Sequence, residues 1–122
     1  MQYMLLIYDD EEFWANLSDE ERAALYAEYH ALTAEMQANG RFLETHELEP
    51  TATARTVRVR DGERVVTDGP FAETKEQFGG YILIEADSAE EALEWAVKIP
   101  SARIGSVEVR PVVPAAIGVA GG

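Results

Sequence analysis

The stretch that decides the fold covers residues 81–91 and reads YILIEADSAEE. Its first four residues are a short apolar run that Glu85 follows, which is typical of a buried strand. Ser88 and Glu91 then have the capping-box spacing, in which the serine hydroxyl accepts a hydrogen bond from the backbone NH three residues later. The stretch therefore predicts a strand followed at once by a helix, and we expect Pro100 to end that helix.

The same order of strand and capped helix occurs at the start of the chain. Residues 2–8 form a first apolar run, and Ser18 and Glu21 repeat the capping-box spacing. Apolar residues then recur at helical spacing up to Asn39-Gly40, where glycine can supply the left-handed conformation that ends a helix. This pattern predicts a first strand and a long helix over residues 19–39.

The segments between these units have weaker patterns. Residues 9–16 are acidic and carry Phe13 and Trp14, so we expect a loop folded onto the core, with a lip over a pocket as the alternative. Residues 41–48 alternate weakly, which predicts a second strand with Phe42 and His46 on one side. Residues 106–110 alternate as a last strand.

A β-hairpin is predicted by Asp61-Gly62, which tolerates positive φ and separates the strand patterns of residues 56–60 and 64–67. The full order is then a split βαβ unit written twice, with the hairpin inserted. This order predicts a ferredoxin-like α+β domain over residues 1–113, with an antiparallel sheet, both helices on one face and a flexible tail over residues 114–122. Because the central strands are apolar on both sides, we expect a homodimer in which a second copy covers the open face.

Composition excludes several classes of function. The 122 residues suit one domain, and 10 basic against 23 acidic residues give a net charge of −13, which argues against nucleic acid and membrane surfaces as partners. The absence of cysteine excludes thiolate metal sites and cysteine nucleophiles. The first residues lack the basic start of a signal peptide, and no apolar run reaches membrane-spanning length, so we expect a cytoplasmic protein.

The candidate site is the segment over residues 68–76, DGPFAETKE, followed by the glycine pair Gly79-Gly80, which we expect to turn sharply and approach another backbone. Asp68 is a candidate general acid or base if burial raises its pKa, and its alternative role is a turn former. Lys75 is a candidate for holding an anionic substrate, and its alternative role is a surface ion pair. Phe71 is a candidate for substrate contact.

Other candidates lie outside this segment. His46 is a candidate for proton transfer, and its alternative is a structural histidine. Tyr8 and Tyr29 could donate hydrogen bonds to a substrate or serve as core aromatics. Arg58 could bind phosphate or carboxylate, and its alternative is a solvated strand face. The pattern predicts no metal ligands and no cofactor.

The chain resembles the DGPF group of YCII-related proteins over roughly positions 1 to 113. The residues that carry the resemblance are YMLLIY at 3–8, TVRVR at 56–60, TDGPFAETKEQ at 67–77, GGY at 79–81 and VEVRP at 107–111. The resemblance implies a dimeric α/β barrel in bacterial proteins, some of them encoded beside extracytoplasmic-function sigma factors. It also implies a cleft by the sheet with a His-Asp pair, whose histidine position corresponds to Tyr29.

Two hypotheses for function follow. In the first, the protein is a cofactor-free enzyme that performs lyase, isomerase or hydrolase chemistry on small metabolites, with Asp68 as acid or base and Lys75, His46 and Tyr29 orienting the substrate. In the second, it is a non-catalytic dimer that senses a ligand or binds a regulatory protein linked to a sigma factor. A catalytic carboxylate should titrate well above its usual range, whereas a turn former should not.

Overall fold

The computed structural model describes residues 1–115, which form a four-stranded sheet, a two-stranded sheet and four α-helices. None of these helices combines the length and the apolar character needed to cross a bilayer. Most of the predicted tail, residues 116–122, lies outside the described residues. The elements are β1 (Gln2–Asp9), α1 (Glu11–Ala15), α2 (Asp19–Ala38), β2 (Phe42–Glu47), a 3-10 turn (Thr51–Thr53), β3 (Arg55–Arg60), β4 (Glu63–Asp68), β5 (Gln77–Glu85), α3 (Ala89–Val97), α4 (Ser101–Ile104) and β6 (Ser106–Pro111).

The four-stranded sheet has the strand order β2-β5-β1-β6, and every neighbouring pair is antiparallel. Leu5 lies opposite Ile82 and Tyr3 opposite Ile84, and all four side chains are buried on one face. The predicted α+β domain with an antiparallel sheet is therefore confirmed. The helices α2 and α3 cover this face and contribute Leu32, Met36, Ala92, Trp95 and Ala96 to the core.

The opposite face of the sheet is apolar but only half-buried. Met4 lies opposite Leu83 and Leu6 opposite Tyr81, and all four side chains remain partly exposed. Across the described residues the sheet is open, with β2 and β6 at its edges, so the single chain forms no closed barrel.

Both long helices begin where the capping-box spacing predicts. At α2 the box is complete, because the Glu21 NH donates to Ser18 Oγ at 3.1 Å and the Ser18 NH donates to Glu21 Oε1 at 2.8 Å. At α3 only half of it forms. Ser88 Oγ accepts from the Glu91 NH at 3.1 Å, but the Glu91 carboxylate accepts from the Asp87 NH instead.

The predicted hairpin is also confirmed. Strands β3 and β4 form a separate antiparallel ribbon, and Asp61 and Gly62 make the turn with φ of 53° and 77°. The base of the ribbon is closed by the Gly69 NH, which donates to Ala54 O at 2.7 Å.

Two segments are helical where the sequence predicted otherwise. The expected loop over residues 9–16 is wrong, because Glu11–Ala15 form α1, which Asp10 caps by accepting from the Glu12 NH at 2.9 Å. Pro100 does not end the helical region. The helix α3 ends at Val97, and Pro100 precedes α4, since the fixed φ of proline suits a helix start.

The predicted sidedness of the second strand is wrong because β2 contains an irregularity between Phe42 and Glu44. One extra residue inverts the alternation. Phe42 therefore packs against the core, whereas His46 pairs with Tyr81 on the opposite face. The glycine pair does not turn but lies inside β5, where a Cβ on Gly80 would stand only 2.7 Å from His46 O, so the predicted close backbone approach is confirmed.

Candidate functional site

A cleft of about 480 Å³ opens between α2 and the ends of the central strands. The short helix α1 and the connector after β2 complete its walls. This volume lies in the range of sites that bind small organic molecules. The side chains that give the cleft its chemistry are Asp9, Trp14, Arg22, Tyr26, Tyr29 and Glu47.

The innermost polar group of the cleft is the carboxylate of Asp9. Asp9 continues the alternation of the buried residues of β1 and so faces the helix layer. Its Oδ2 accepts from Ser101 Oγ at 2.7 Å and from Trp14 Nε1 at 3.0 Å. Its Oδ1 is buried and has no hydrogen-bond partner within residues 1–115.

Gly105, at the end of α4, packs closely against this carboxylate. A Cβ at position 105 would stand 2.5 Å from Asp9 Oδ1 and even closer to Tyr8 O. The Gly105 NH donates to Ser101 O at 2.7 Å, which ends α4. Only glycine therefore lets the end of α4 pack directly against Asp9.

A hydrogen-bonded chain links Asp9 to Tyr29 on α2. Ser101 is fully buried, and its single hydroxyl hydrogen is donated to Asp9. Because a hydroxyl has only one hydrogen, Ser101 must accept from the Tyr29 hydroxyl in the hydrogen bond that joins them. Burial raises the pKa of Tyr29 to about 12, so the Tyr29 hydroxyl keeps its proton at neutral pH.

A second tyrosine and carboxylate pair lies nearer the mouth. The Tyr26 hydroxyl is 2.8 Å from Glu47 Oε2 and 3.1 Å from Glu47 Oε1. Burial, and then the bond to Glu47, raise the pKa of Tyr26. The Tyr26 ring lies 5.7 Å from the Trp14 ring, and Arg22 Nη2 donates to Trp14 O at 2.9 Å, which anchors α1 against α2.

The connector after β2 is fixed to α1 by a carboxylate. Glu11 Oε2 accepts from the Thr51 NH at 2.8 Å, and Glu11 Oε1 accepts from Thr51 Oγ1 at 2.7 Å. The Glu11 NH in turn donates to the Gln77 side chain at 2.9 Å. The far wall of the cleft is therefore held by local hydrogen bonds.

The structure places three of the predicted site residues at or beside the cleft. Tyr29 lines it directly, and His46 borders it. The His46 ring lies on the other face of the sheet, where Nε2 is 3.3 Å from Glu44 Oε2. Lys75 lines a neighbouring groove that shares Glu11 with the cleft.

The other four predicted residues lie away from the cleft. Asp68 ends β4 with a side chain that is 95% exposed, and its Oδ1 is 3.6 Å from Arg55 Nε. Phe71 is 80% exposed, and Arg58 lies on the ribbon. The Tyr8 hydroxyl donates to Glu108 at 3.1 Å.

Sequence analysis missed Asp9 and Ser101 as site residues, and it placed Trp14 at a pocket only as the alternative to a loop folded onto the core. Asp9 had a usable signal, because it follows the buried positions of β1 at the same alternation. Ser101 had none, since its role depends on a bond between residues 92 positions apart. In the part of the chain that the structure covers, no group of three or more His, Cys, Asp and Glu side chains is placed to hold a metal ion.

Comparison with known proteins identifies the family of the chain. The family model of the YCII-related domain matches residues 1–116, so this chain belongs to the YCII-related family. The chain is also similar to an uncharacterised protein of Rhizobium meliloti (strain 1021), with 40% identity over 113 residues that cover 91% of each chain.

Proposed function

We propose that this protein binds a small organic molecule in the cleft between α2 and the four-stranded sheet. The observation that carries the proposal is the hydrogen-bonded series from Tyr29 through Ser101 to Asp9 at the base of a cavity whose walls include the Trp14 and Tyr26 rings. Apolar walls with a few fixed polar groups are the usual composition of such sites.

A library thermal-shift screen with two matched α2 variants tests this proposal. Thr33 lines the cleft, so Thr33→Trp fills it, whereas Ala34→Trp adds the same ring to the exposed side of the helix. A cleft ligand should raise the melting temperature of the wild type and of Ala34→Trp but not of Thr33→Trp. A compound that stabilises Thr33→Trp equally binds elsewhere and contradicts the proposal for that compound.

Proton transfer is a second function that the hydrogen bonds from Tyr29 through Ser101 to Asp9 support. A ligand proton can pass to the Tyr29 oxygen while Tyr29 gives its hydrogen to Ser101 Oγ and Ser101 gives its own to Asp9 Oδ2. For any library compound that turns over, Tyr29→Phe should abolish turnover while binding persists. Unchanged turnover in Tyr29→Phe would refute this route.

We also infer that the protein works as a ferredoxin-like homodimer of the DGPF group, with the half-buried sheet faces packed together as a dimeric barrel. The strand order β2-β5-β1-β6 with both helices on one face supports the arrangement. In this proposal, Asp68, with its exposed side chain on the single chain, acts in catalysis only if a second copy brings it to a cleft. Phe71 and Arg58 likewise contact a ligand only if a second copy brings them to a cleft.

A further inference from the structure

Three hydrogen-bond donors of the cleft, on Trp14, Tyr26 and Tyr29, are already used inside the protein. The Tyr26 hydroxyl hydrogen is donated to Glu47, and the Trp14 Nε1 hydrogen is donated to Asp9. The Tyr29 hydrogen is donated to Ser101, whose own hydrogen goes to Asp9. What the Tyr26 and Tyr29 hydroxyls can still offer to a ligand is oxygen lone pairs, because each hydroxyl keeps acceptor capacity after it donates.

The charged side chains around the cleft also favour a ligand that donates hydrogen bonds and carries positive charge. Among the described residues that border it, three are carboxylates, Asp9, Glu11 and Glu47, and one is a cation, Arg22. With the histidines neutral, the lining carries a net charge of −2. Arg22 is already engaged by Trp14 O at 2.9 Å and by Asp19 Oδ1 at 3.6 Å. The −13 charge of the whole chain adds a field that attracts cations.

Aromatic rings supply the third feature. Trp14 and Tyr26 stand with ring centroids 5.7 Å apart on the wall beside Glu47. Ring faces attract cations, and tryptophan does so most strongly. A carboxylate beside two such rings matches an organic ammonium group better than it matches an anion or a neutral alcohol.

From these three features we propose that the cleft binds a small organic cation, a primary ammonium compound with an apolar body, whose N–H groups donate to Glu47 and to the Tyr26 and Tyr29 oxygens. This inference rests on the proposed function and names its ligand class. The volume of about 480 Å³ suits a ligand much larger than a metal ion, and the described residues hold no metal-ligand cluster.

Isothermal titration calorimetry with three compounds of similar size tests the inference. The probe is phenethylammonium, which is charged at pH 7 as a lysine amine is. Its controls are 2-phenylethanol, which is neutral, and phenylacetate, which is anionic. We expect the ammonium compound to bind at least about tenfold more tightly than either control, the size of effect that one charge-assisted hydrogen bond gives.

Replacing either of two glutamates on β2 shows which carboxylate binds the ammonium group. Glu47 accepts from Tyr26 in the cleft, and Glu44 accepts from Tyr81 at 2.8 Å on the other face of the sheet. Glu47→Gln keeps an acceptor for Tyr26 but removes the charge, so it should weaken phenethylammonium by about tenfold. Glu44→Gln should leave its affinity unchanged.

The outcomes separate the ligand class from the proposed function. Tighter binding of phenylacetate or 2-phenylethanol, equal losses in the two glutamine variants, or no binding of phenethylammonium would each overturn the cation inference. In any of these cases, a library compound whose stabilisation disappears in Thr33→Trp would still support binding in the cleft. The absence of any such compound as well would reject both.

Discussion

Ser101 Oγ donates to Asp9 Oδ2 across 2.7 Å, and this bond joins the end of the first strand to the beginning of α4. Ser101 is fully buried and also accepts from the Tyr29 hydroxyl, so it links that hydroxyl to the carboxylate. The proposed proton route therefore passes through one hydroxyl that has no access to solvent.

Ser101→Ala should lower the free energy of unfolding by about 1–3 kcal/mol, because it leaves the largely buried Tyr29 hydroxyl without its acceptor and removes one of the two donors to Asp9 Oδ2. Urea denaturation measures the change. The control is Ser106→Ala, which removes an exposed hydroxyl that donates to Glu76 at 2.7 Å and should cost less than about 0.5 kcal/mol. Equal losses of unfolding free energy in the two variants would mean that the hydrogen bonds of Ser101 stabilise the fold no more than an exposed hydrogen bond does.

Gly105→Ala should cost about 1–3 kcal/mol or more, as overpacked sites do, because the new methyl group meets both Asp9 Oδ1 and Tyr8 O. Gly79→Ala is the matched control, since the nearest atom to its added Cβ is Gln77 O at 4.0 Å. Thermal and urea unfolding of both variants give the comparison. If Gly105→Ala is as stable as Gly79→Ala, the close packing against Asp9 is not required.

The raised pKa of Tyr29 has a signature at high pH. A group whose pKa is higher in the folded state stabilises the fold below its unfolded pKa, near 10, and that contribution is lost as pH rises towards about 12. The free energy of unfolding should therefore fall more steeply between these values in the wild type than in Tyr29→Phe. Tyrosinate absorbance should show the same difference, with a midpoint near 12 for Tyr29. A midpoint near 10 would contradict its burial.

The elements that sequence analysis predicted correctly have local signals. The apolar runs of β1 and β5 and the serine boxes at Ser18 and Ser88 identify strands and helix starts from a few neighbouring residues. The order of these units then suggested an α+β sheet with its helices on one face. Tyr29 could be proposed for the cleft because, by the resemblance to YCII-related proteins, it falls at the position of their histidine.

The rest of the site depends on contacts that no local pattern records. Ser101 follows a proline that normally signals the end of a helix, and its partner lies 92 positions away. The irregularity between Phe42 and Glu44 inverted the predicted faces of β2 and placed the His46 ring against Tyr81. The DGPF segment drew attention because its composition is unusual, yet Asp68 and Phe71 are highly exposed on the single chain.

The half-buried face of the four-stranded sheet is the surface that a second copy would cover. If the half-buried face pairs with itself, light scattering of the wild type should give twice the 13.5 kDa of one chain, and Leu83→Lys should give a monomer, because a buried lysine opposite its own copy lacks a partner. Val97→Lys is the control, since Val97 is apolar and 76% exposed but lies on α3, on the covered side of the sheet. It should remain dimeric. A monomeric wild type at micromolar concentration would refute the dimer, and with it any role of Asp68, Phe71 or Arg58 that needs the partner.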